Sequence, residues 1–437
     1  MILAGTGAYA ALILFEKESP VITLNETPKY IGHETVLSIT VTDQGMGLQN
    51  IVATVTQGNT VNDLHSQNFK REGYTGKGGP DIHQRTIVFV PGKIGLADGE
   101  ATITIEARDF SFKNLFGGNS SQLTRKIIID TTPPEINLVH NTRNLKPGNS
   151  GLVIYRASDD ASSHGVIIDD NLHPGFAVDN GRKGTQNAFI ALPHDAAAIK
   201  KSYLTASDQA GNTVTKPIYI NYQAVQENHD QIAISDNFLS RKIPEFEQHY
   251  PEMEGDLINK YLYTNREIRA ANNRIIHDLC SQSMPERMWS GRFLRMAGAT
   301  RAKFADRRTY LYKGEPIDHQ THLGMDLAST KHANIKAAGS GKVVYTEYLG
   351  IYGKMVILDH GQGLFSLYSH MSSITVSQGD IVEQGTVLGQ TGITGMAGGD
   401  HLHFSILVNG IFVNPLEWWD PRWINFTIEE PLVDSKF

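Results

Sequence analysis

Seven of the 17 histidines fall between His319 and His403, in three segments whose spacing suits metal and acid–base chemistry. The first reads His322-Leu323-Gly324-Met325-Asp326-Leu327-Ala328. Taken as a strand, it sets His322, Gly324 and Asp326 on one side and Leu323, Met325 and Leu327 on the other. An imidazole and a carboxylate so spaced can converge on one point, both are established zinc ligands, and Gly324 between them leaves room for an ion. The second, Asp400-His401-Leu402-His403-Phe404-Ser405-Ile406, alternates in the same way. His401 and His403 project together while Leu402, Phe404 and Ile406 enter a core, which suits one ligand beside one catalytic base. The third, Leu364-Phe365-Ser366-Leu367-Tyr368-Ser369-His370-Met371, puts His370 on a face with Tyr368 and Ser366. A single histidine on an alternating strand is more often structural, and His319, His332 and His360 are read that way.

The elements that must position these residues are mostly strands. From 288 to the end, glycine turns recur about every ten residues, and Asn409-Gly410 between two apolar runs is a two-residue hairpin signal. Upstream, residues 18–132 read as a β-sandwich module with strands at 36–41, 51–55, 101–105 and 126–129. Asp130-Thr131-Thr132-Pro133-Pro134 interrupts any ladder there. Residues 133–225 read as a second such module, with strands at 136–139, 151–155 and 217–222. The proline joint and the Ser207-Asp208-Gln209-Ala210-Gly211-Asn212 turn resemble bacterial immunoglobulin-like modules. Residues 226–287 read as a helical linker. Asp236 caps a first helix that Pro244 ends or kinks, and a longer helix follows over 253–281 with Leu257, Tyr261, Ile268, Asn272, Ile275 and Leu279 on its apolar stripe. The segment is either a brace packed on its neighbours or a cover over the groove that regulates access.

Taken together, HLGMDLA, LDHGQGLFSLYSHM and GDHLHFSI resemble the lysostaphin/LytM-type family of zinc metallopeptidases, in order and in spacing, over about residues 289–419. The resemblance implies a C-terminal all-β domain at 288–437 that hydrolyses peptide bonds in bacterial peptidoglycan. It implies Zn2+ held by His322, Asp326 and His403, with His370 and His401 as the catalytic pair. None of the five is substituted; relatives that have lost ligands act as activators of other wall hydrolases, which is the rival reading.

Composition bounds the rest. A chain of 437 residues with 40% hydrophobic and 19% charged content is a multidomain, mainly β protein with real cores. A net charge of −7 calls for no nucleic-acid partner, and the lone Cys280 excludes an intrachain disulfide or a cysteine-rich metal finger. Residues 1–15 carry no charge, and as a helix they reach about 22 Å, short of a ~30 Å hydrocarbon core. Signal-anchor, signal peptide and buried strand compete for this run; the anchor (1–17) is preferred, giving a membrane-tethered protein facing the periplasm or cell envelope. Arg292, Arg295, Arg301, Lys303, Arg307 and Arg308 form a basic run, read first as solvated surface and second as an attraction for wall carboxylates. Trp418, Trp419 and Trp423 are read as packing rather than sugar-stacking platforms.

Overall fold

The computed structural model describes residues 15–25, 28–73, 77–178 and 182–435. The apolar run at the start lies outside them apart from Phe15. Among the described residues no helix is long and apolar enough to cross a membrane.

Contacts divide the chain into two units. The first is built on residues up to Pro134, with Asp160–Ser162 and Ser207–Val214 grouped with it. A three-stranded sheet (Val21–Asn25, Thr35–Thr42, Ile82–Phe89) faces a five-stranded one (Tyr30–Ile31, Ser120–Ile129, Gly99–Asp109, Leu48–Gln57, Thr60–Asn68). Alternation explains the pairing: Leu37, Ile39 and Val41 from one sheet meet Ile51, Val55, Ile103 and Ile105 from the other in a single buried cluster.

The second unit contains Glu135–Asp159, Ser163–Ala206 and Thr215–Phe437. Its first part carries a four-stranded sheet, Phe176–Ala177, Thr185–Ala191, Ser150–Ala157 and Ile136–Asn141, and a second sheet through Asn171–Pro174, Ser163–Ile168 and Ser202–Ser207. The strand expected at 217–222 does not form as one element. Strand Thr213–Pro217 stops at the proline, which has no N–H for the ladder, and pairing resumes only at Asn221–Tyr222. Leu152, Ile154 and Phe189 join the same apolar cluster as Phe246, Ile276, Phe365 and Trp418, so these β strands, the helices and the C-terminal sheet share a core. Trp418 is fully buried and donates its indole N–H to Ser150 Oγ at 3.1 Å, in line with packing rather than sugar stacking.

The 226–287 segment departs from a purely helical reading. It opens with strand His229–Ile234, which pairs in parallel with Arg307–Tyr312, itself antiparallel to Glu315–Thr321. Helix Asp236–His249 is capped by Ser235, not Asp236: the Ser235 hydroxyl accepts from Phe238 N at 3.2 Å. Pro244 neither ends nor interrupts it. The longer helix runs from Leu257–Tyr263 through a π turn, Thr264–Ile268, into Arg269–Leu279. Its buried stripe is Tyr261, Ile268, Asn272 and Ile276, while Leu257 and Ile275 are exposed. The wider π turn shifts the phase of the face from the one that a uniform 3.6 repeat would give.

The C-terminal sheet has nine strands, with Met325–Ala328, Leu402–Val408 and Leu364–Met371 side by side near one end. Strand Leu402–Val408 turns at Asn409-Gly410, both with positive φ (50° and 80°), and returns as Ile411–Val413, the hairpin expected from that dipeptide.

Candidate active site

Three adjacent strands bring the histidine segments together. Asp326 lies opposite His403 across one antiparallel pair, and His403 lies opposite Ser369 across the next. Side chains of directly opposed residues share a face, so Asp326 and His403 are adjacent by register alone. His322 precedes its strand and is fixed by the loop instead: its N–H donates to Asp306 O and its own carbonyl accepts from Ala305 N. Gly324 makes room for an imidazole rather than directly for an ion. A Cβ there would lie 2.6 Å from His403 Cε1 and Nε2 and from Ser405 Oγ.

His370 does not share a face with Tyr368 and Ser366. The ladder shifts register opposite it, and its backbone is left-handed with φ 61°. This bulge breaks the alternation and re-aims one side chain. Ser366 and Tyr368 are bonded to each other in the core (2.9 Å), while His370 faces the cavity with His401, ring centroids 4.8 Å apart. The three histidines read as structural do stay out of this group. His360 is buried between Ser340 O and Ser366 Oγ, both at 2.7 Å. His319 meets Thr309 Oγ1 at 3.2 Å, and His332 meets Ser372 Oγ at 3.1 Å.

The donor atoms are close and chemically specific. His322 Nε2 lies 3.0 Å from Asp326 Oδ1 and 2.9 Å from His403 Nδ1, which is itself 2.9 Å from Asp326 Oδ1. Partners on the far side of each ring fix the tautomers. His322 Nδ1 meets Lys303 O at 2.8 Å; a carbonyl only accepts, so that nitrogen carries the hydrogen and Nε2 is bare. The Ser405 hydroxyl donates to Leu323 O at 2.8 Å, so at 3.2 Å from His403 Nε2 it accepts, leaving His403 Nδ1 bare. Two imidazole lone pairs and a carboxylate oxygen therefore face one another with no hydrogen between them. They repel unless a cation or a proton sits among them, and this donor set fits a divalent zinc-type ion.

His370 and His401 are tied likewise. Nδ1–H of His370 donates to Thr394 O at 2.9 Å, and Nδ1–H of His401 donates to Gly399 O at 2.7 Å, so each keeps Nε2 as an acceptor. Burial, then the neighbouring His401 and His403, hold the proton affinity of His370 well below the usual imidazole range. Burial works in the same direction on His401, but the Asp326 carboxylate, 3.5 Å away, raises it above that range. Burial pushes His403 down to about 4 against the pull of Asp326. Asp326 is itself opposed by burial, yet His322, His401 and His403 hold it well below the ordinary carboxylate range. Arg308 Nη2 lies 3.3 Å from the other oxygen, Oδ2.

All five residues line one cavity of about 460 Å³. The 226–287 segment and the strand beside it line the rest of it, including Ile234, Phe238, Arg241, Tyr261 and Arg269. This segment is fastened to the sheet domain: Asn272 Oδ1 accepts from Ile351 N at 2.9 Å, and Glu245 Oε1 accepts from Gly395 N at 2.6 Å. The sequence reading names Tyr261 and Asn272 only as part of the apolar stripe and does not single out the others. The only signal was the segment's place in the chain just before the site.

Residues 320–415 match the model of the family described as "Peptidase family M23". DD-carboxypeptidase/endopeptidase Mpg of Neisseria meningitidis serogroup B is 36% identical over 107 residues, which cover 24% of this chain and 25% of that one. Murein hydrolase activator EnvC of Escherichia coli is 35% identical over 95 residues, covering 22% of this chain and 23% of that one. Among solved structures, the catalytic domain of the antimicrobial peptidase lysostaphin from Staphylococcus simulans aligns at 26% identity and TM-score 0.23, over 27% of this chain and 90% of that one. The chain spans about a quarter of the length of the curated relatives it matches. The residues that match the family model, 320–415, contain all three histidine segments. Residues 320–415, which carry all five histidine and aspartate residues of the site, belong to a C-terminal peptidase M23 domain.

Proposed function

We propose that this chain is a zinc metalloendopeptidase that hydrolyses peptide bonds in bacterial peptidoglycan. The observation that carries the reading is the meeting of three bare donor atoms, His322 Nε2, Asp326 Oδ1 and His403 Nδ1, beside a pair of imidazoles that each expose an acceptor nitrogen. Zinc bound by those three residues would supply Lewis acidity, polarising a peptide carbonyl and making water a nucleophile near neutral pH. His401, whose Nδ1–H is tied to Gly399 O, accepts the proton from the attacking water at its free Nε2 and passes it to the leaving amine. His370, kept neutral by burial, orients the water through its own Nε2. Arg308 holds the Asp326 oxygen turned away from His322 and His403, fixing the carboxylate.

Peptidoglycan as substrate rests on the names of relatives such as Mpg and on the family motifs, and the apolar start of the chain supports placement in the envelope as a membrane-anchored protein. The test combines metal analysis of the purified full chain with mass spectrometry of peptidoglycan digested by it. One equivalent of zinc and new amino termini in the stem or bridge peptides are expected. A metal-loaded protein that releases nothing would overturn the hydrolase reading.

That outcome would favour the second reading, a peptidase-like activator of another wall hydrolase. Similarity to a protein named as a murein hydrolase activator, together with a cavity walled on one side by the preceding segment, motivates it. The unsubstituted five-residue set argues for the enzyme.

A further inference from the structure

The rest of the cavity lining has chemistry of its own. Three arginines line the cavity: Arg241 and Arg269 from helices of the 226–287 segment, and Arg308 from strand Arg307–Tyr312. Among the described residues, Asp326 is the only acid that lines it. Arg269 donates to Asn265 O at 3.1 Å and to Asn265 Oδ1 at 2.5 Å, both neutral acceptors. Among the described residues, no carboxylate pairs with Arg241 or Arg269. Arg308 uses Nη2 on Asp326, but its Nε is buried with no partner. Beside them stands Tyr261, fully buried on the same cavity, with a hydroxyl that has no partner either. Burial, then the neighbouring Tyr310, raises the proton affinity of this phenol; Arg269 and Arg308 pull against them and Asp318 adds to them, so the hydroxyl keeps its hydrogen.

Unpaired buried donors are costly, and each calls for an explanation. Here Tyr261 and Arg308, which carry the two orphan donors, line one space together with Arg241 and Arg269, beside Tyr310 and Ile351. A neutral peptide would leave the guanidinium charge uncompensated. A carboxylate accepts from a guanidinium and a phenol at once, through strong charge-assisted bonds.

We infer that Tyr261, Arg269 and Arg308, with Arg241 as a further cation on the same cavity, form a recognition site for a carboxylate of the substrate peptide near the bond to be cut. The inference rests on the hydrolase reading for its consequence, but not for the binding itself. The carboxylate can be the α-carboxylate of a peptide end or a side-chain carboxylate beside the scissile bond, and both present the same two oxygens.

The test uses the zinc-loaded full chain and four synthetic peptides. Two end in D-Ala–D-Ala, as the free acid and as the C-terminal amide. Two have an amidated end and carry either glutamate or glutamine next to the scissile bond. The wild type is expected to prefer one acid over its amide partner by about ten-fold or more in kcat/KM, mostly through KM; which pair shows the preference identifies the source. Arg269→Gln and Tyr261→Phe should each bring that ratio near parity while zinc content stays at the wild-type level. Calorimetric binding of the same acids and amides is run in parallel and needs no turnover. If no peptide is cut but an acid binds and Arg269→Gln abolishes the difference, the hydrolase reading fails and the carboxylate site stands. Equal binding and equal rates for acids and amides in the wild type would overturn the site, whatever the activity.

Discussion

The two walls of the cavity differ in how they are made. The histidine wall is three adjacent strands held by backbone ladders, where register alone sets Asp326 against His403 and His403 against Ser369. The other wall is a strand and two helices from earlier in the chain, fastened through side chains such as Asn272 and Glu245. The first fixes the reacting groups on a rigid scaffold. The second shapes what they meet, through residues that do no chemistry themselves.

If this division holds, the largest effects belong to the histidine wall. His322→Ala or Asp326→Ala should abolish both zinc retention and hydrolysis, read by metal analysis and by a peptide-cleavage assay; either variant keeping its zinc breaks the ligand assignment. His401→Ala should retain zinc but lose about 10²–10⁴-fold in rate, with His370→Ala losing less. Equal losses would remove the distinction between proton carrier and orienting group. Gly324→Ala drives a methyl group into the His403 ring. Zinc affinity should fall about 10–100-fold, as when a supporting contact to a ligand is lost, measured by competition with a chelator.

Smaller effects test the support behind each wall. His360 sits behind the histidine wall, and burial pushes it down to about 4. Below its unfolded value near 6.5 the unfolded chain takes up a proton that the folded chain refuses. Stability is therefore intact above pH 6.5, erodes as pH falls, and by pH 4 has lost about 3 kcal/mol from this group. Denaturant titrations across that window should show a shallower acid slope for His360→Gln. On the other wall, Ser235→Ala removes the cap of helix Asp236–His249 and should cost about 1 kcal/mol of stability, with zinc affinity unchanged. A change in zinc affinity there would mean that the two walls are not separable.

What was legible in the sequence was the period-2 pattern and the motif chemistry. Strands at 36–41, 51–55, 101–105 and 151–155 and the Asn409-Gly410 hairpin followed from residues that a local rule governs; the set His322, Asp326 and His403 was legible through the family motif, while the alternation expected to place His322 beside Asp326 does not operate, because His322 precedes the strand. The misreadings were each caused by something local rules do not contain. A π turn shifted the phase of the long helix, Ser235 rather than Asp236 took the cap, and pairing with Arg307–Tyr312 made a strand of His229–Ile234. Of the basic run, Arg308 lines the cavity while Arg307 pairs with Glu227; charge spacing along the chain does not tell them apart.

The sequence by itself determined which side chains could bind a metal and move protons, because ligand type and alternation are properties of neighbouring residues. Only the tertiary structure decided which nitrogen of each imidazole is bare, since that depends on carbonyls and hydroxyls such as Lys303 O and Ser405 Oγ brought in from other segments. It also decided that His370 turns out of the alternation of its strand and that Tyr261 and Arg269 line the same cavity as the histidines. Those facts arise from bulges and long-range packing, whose energies depend on partners far away in the chain.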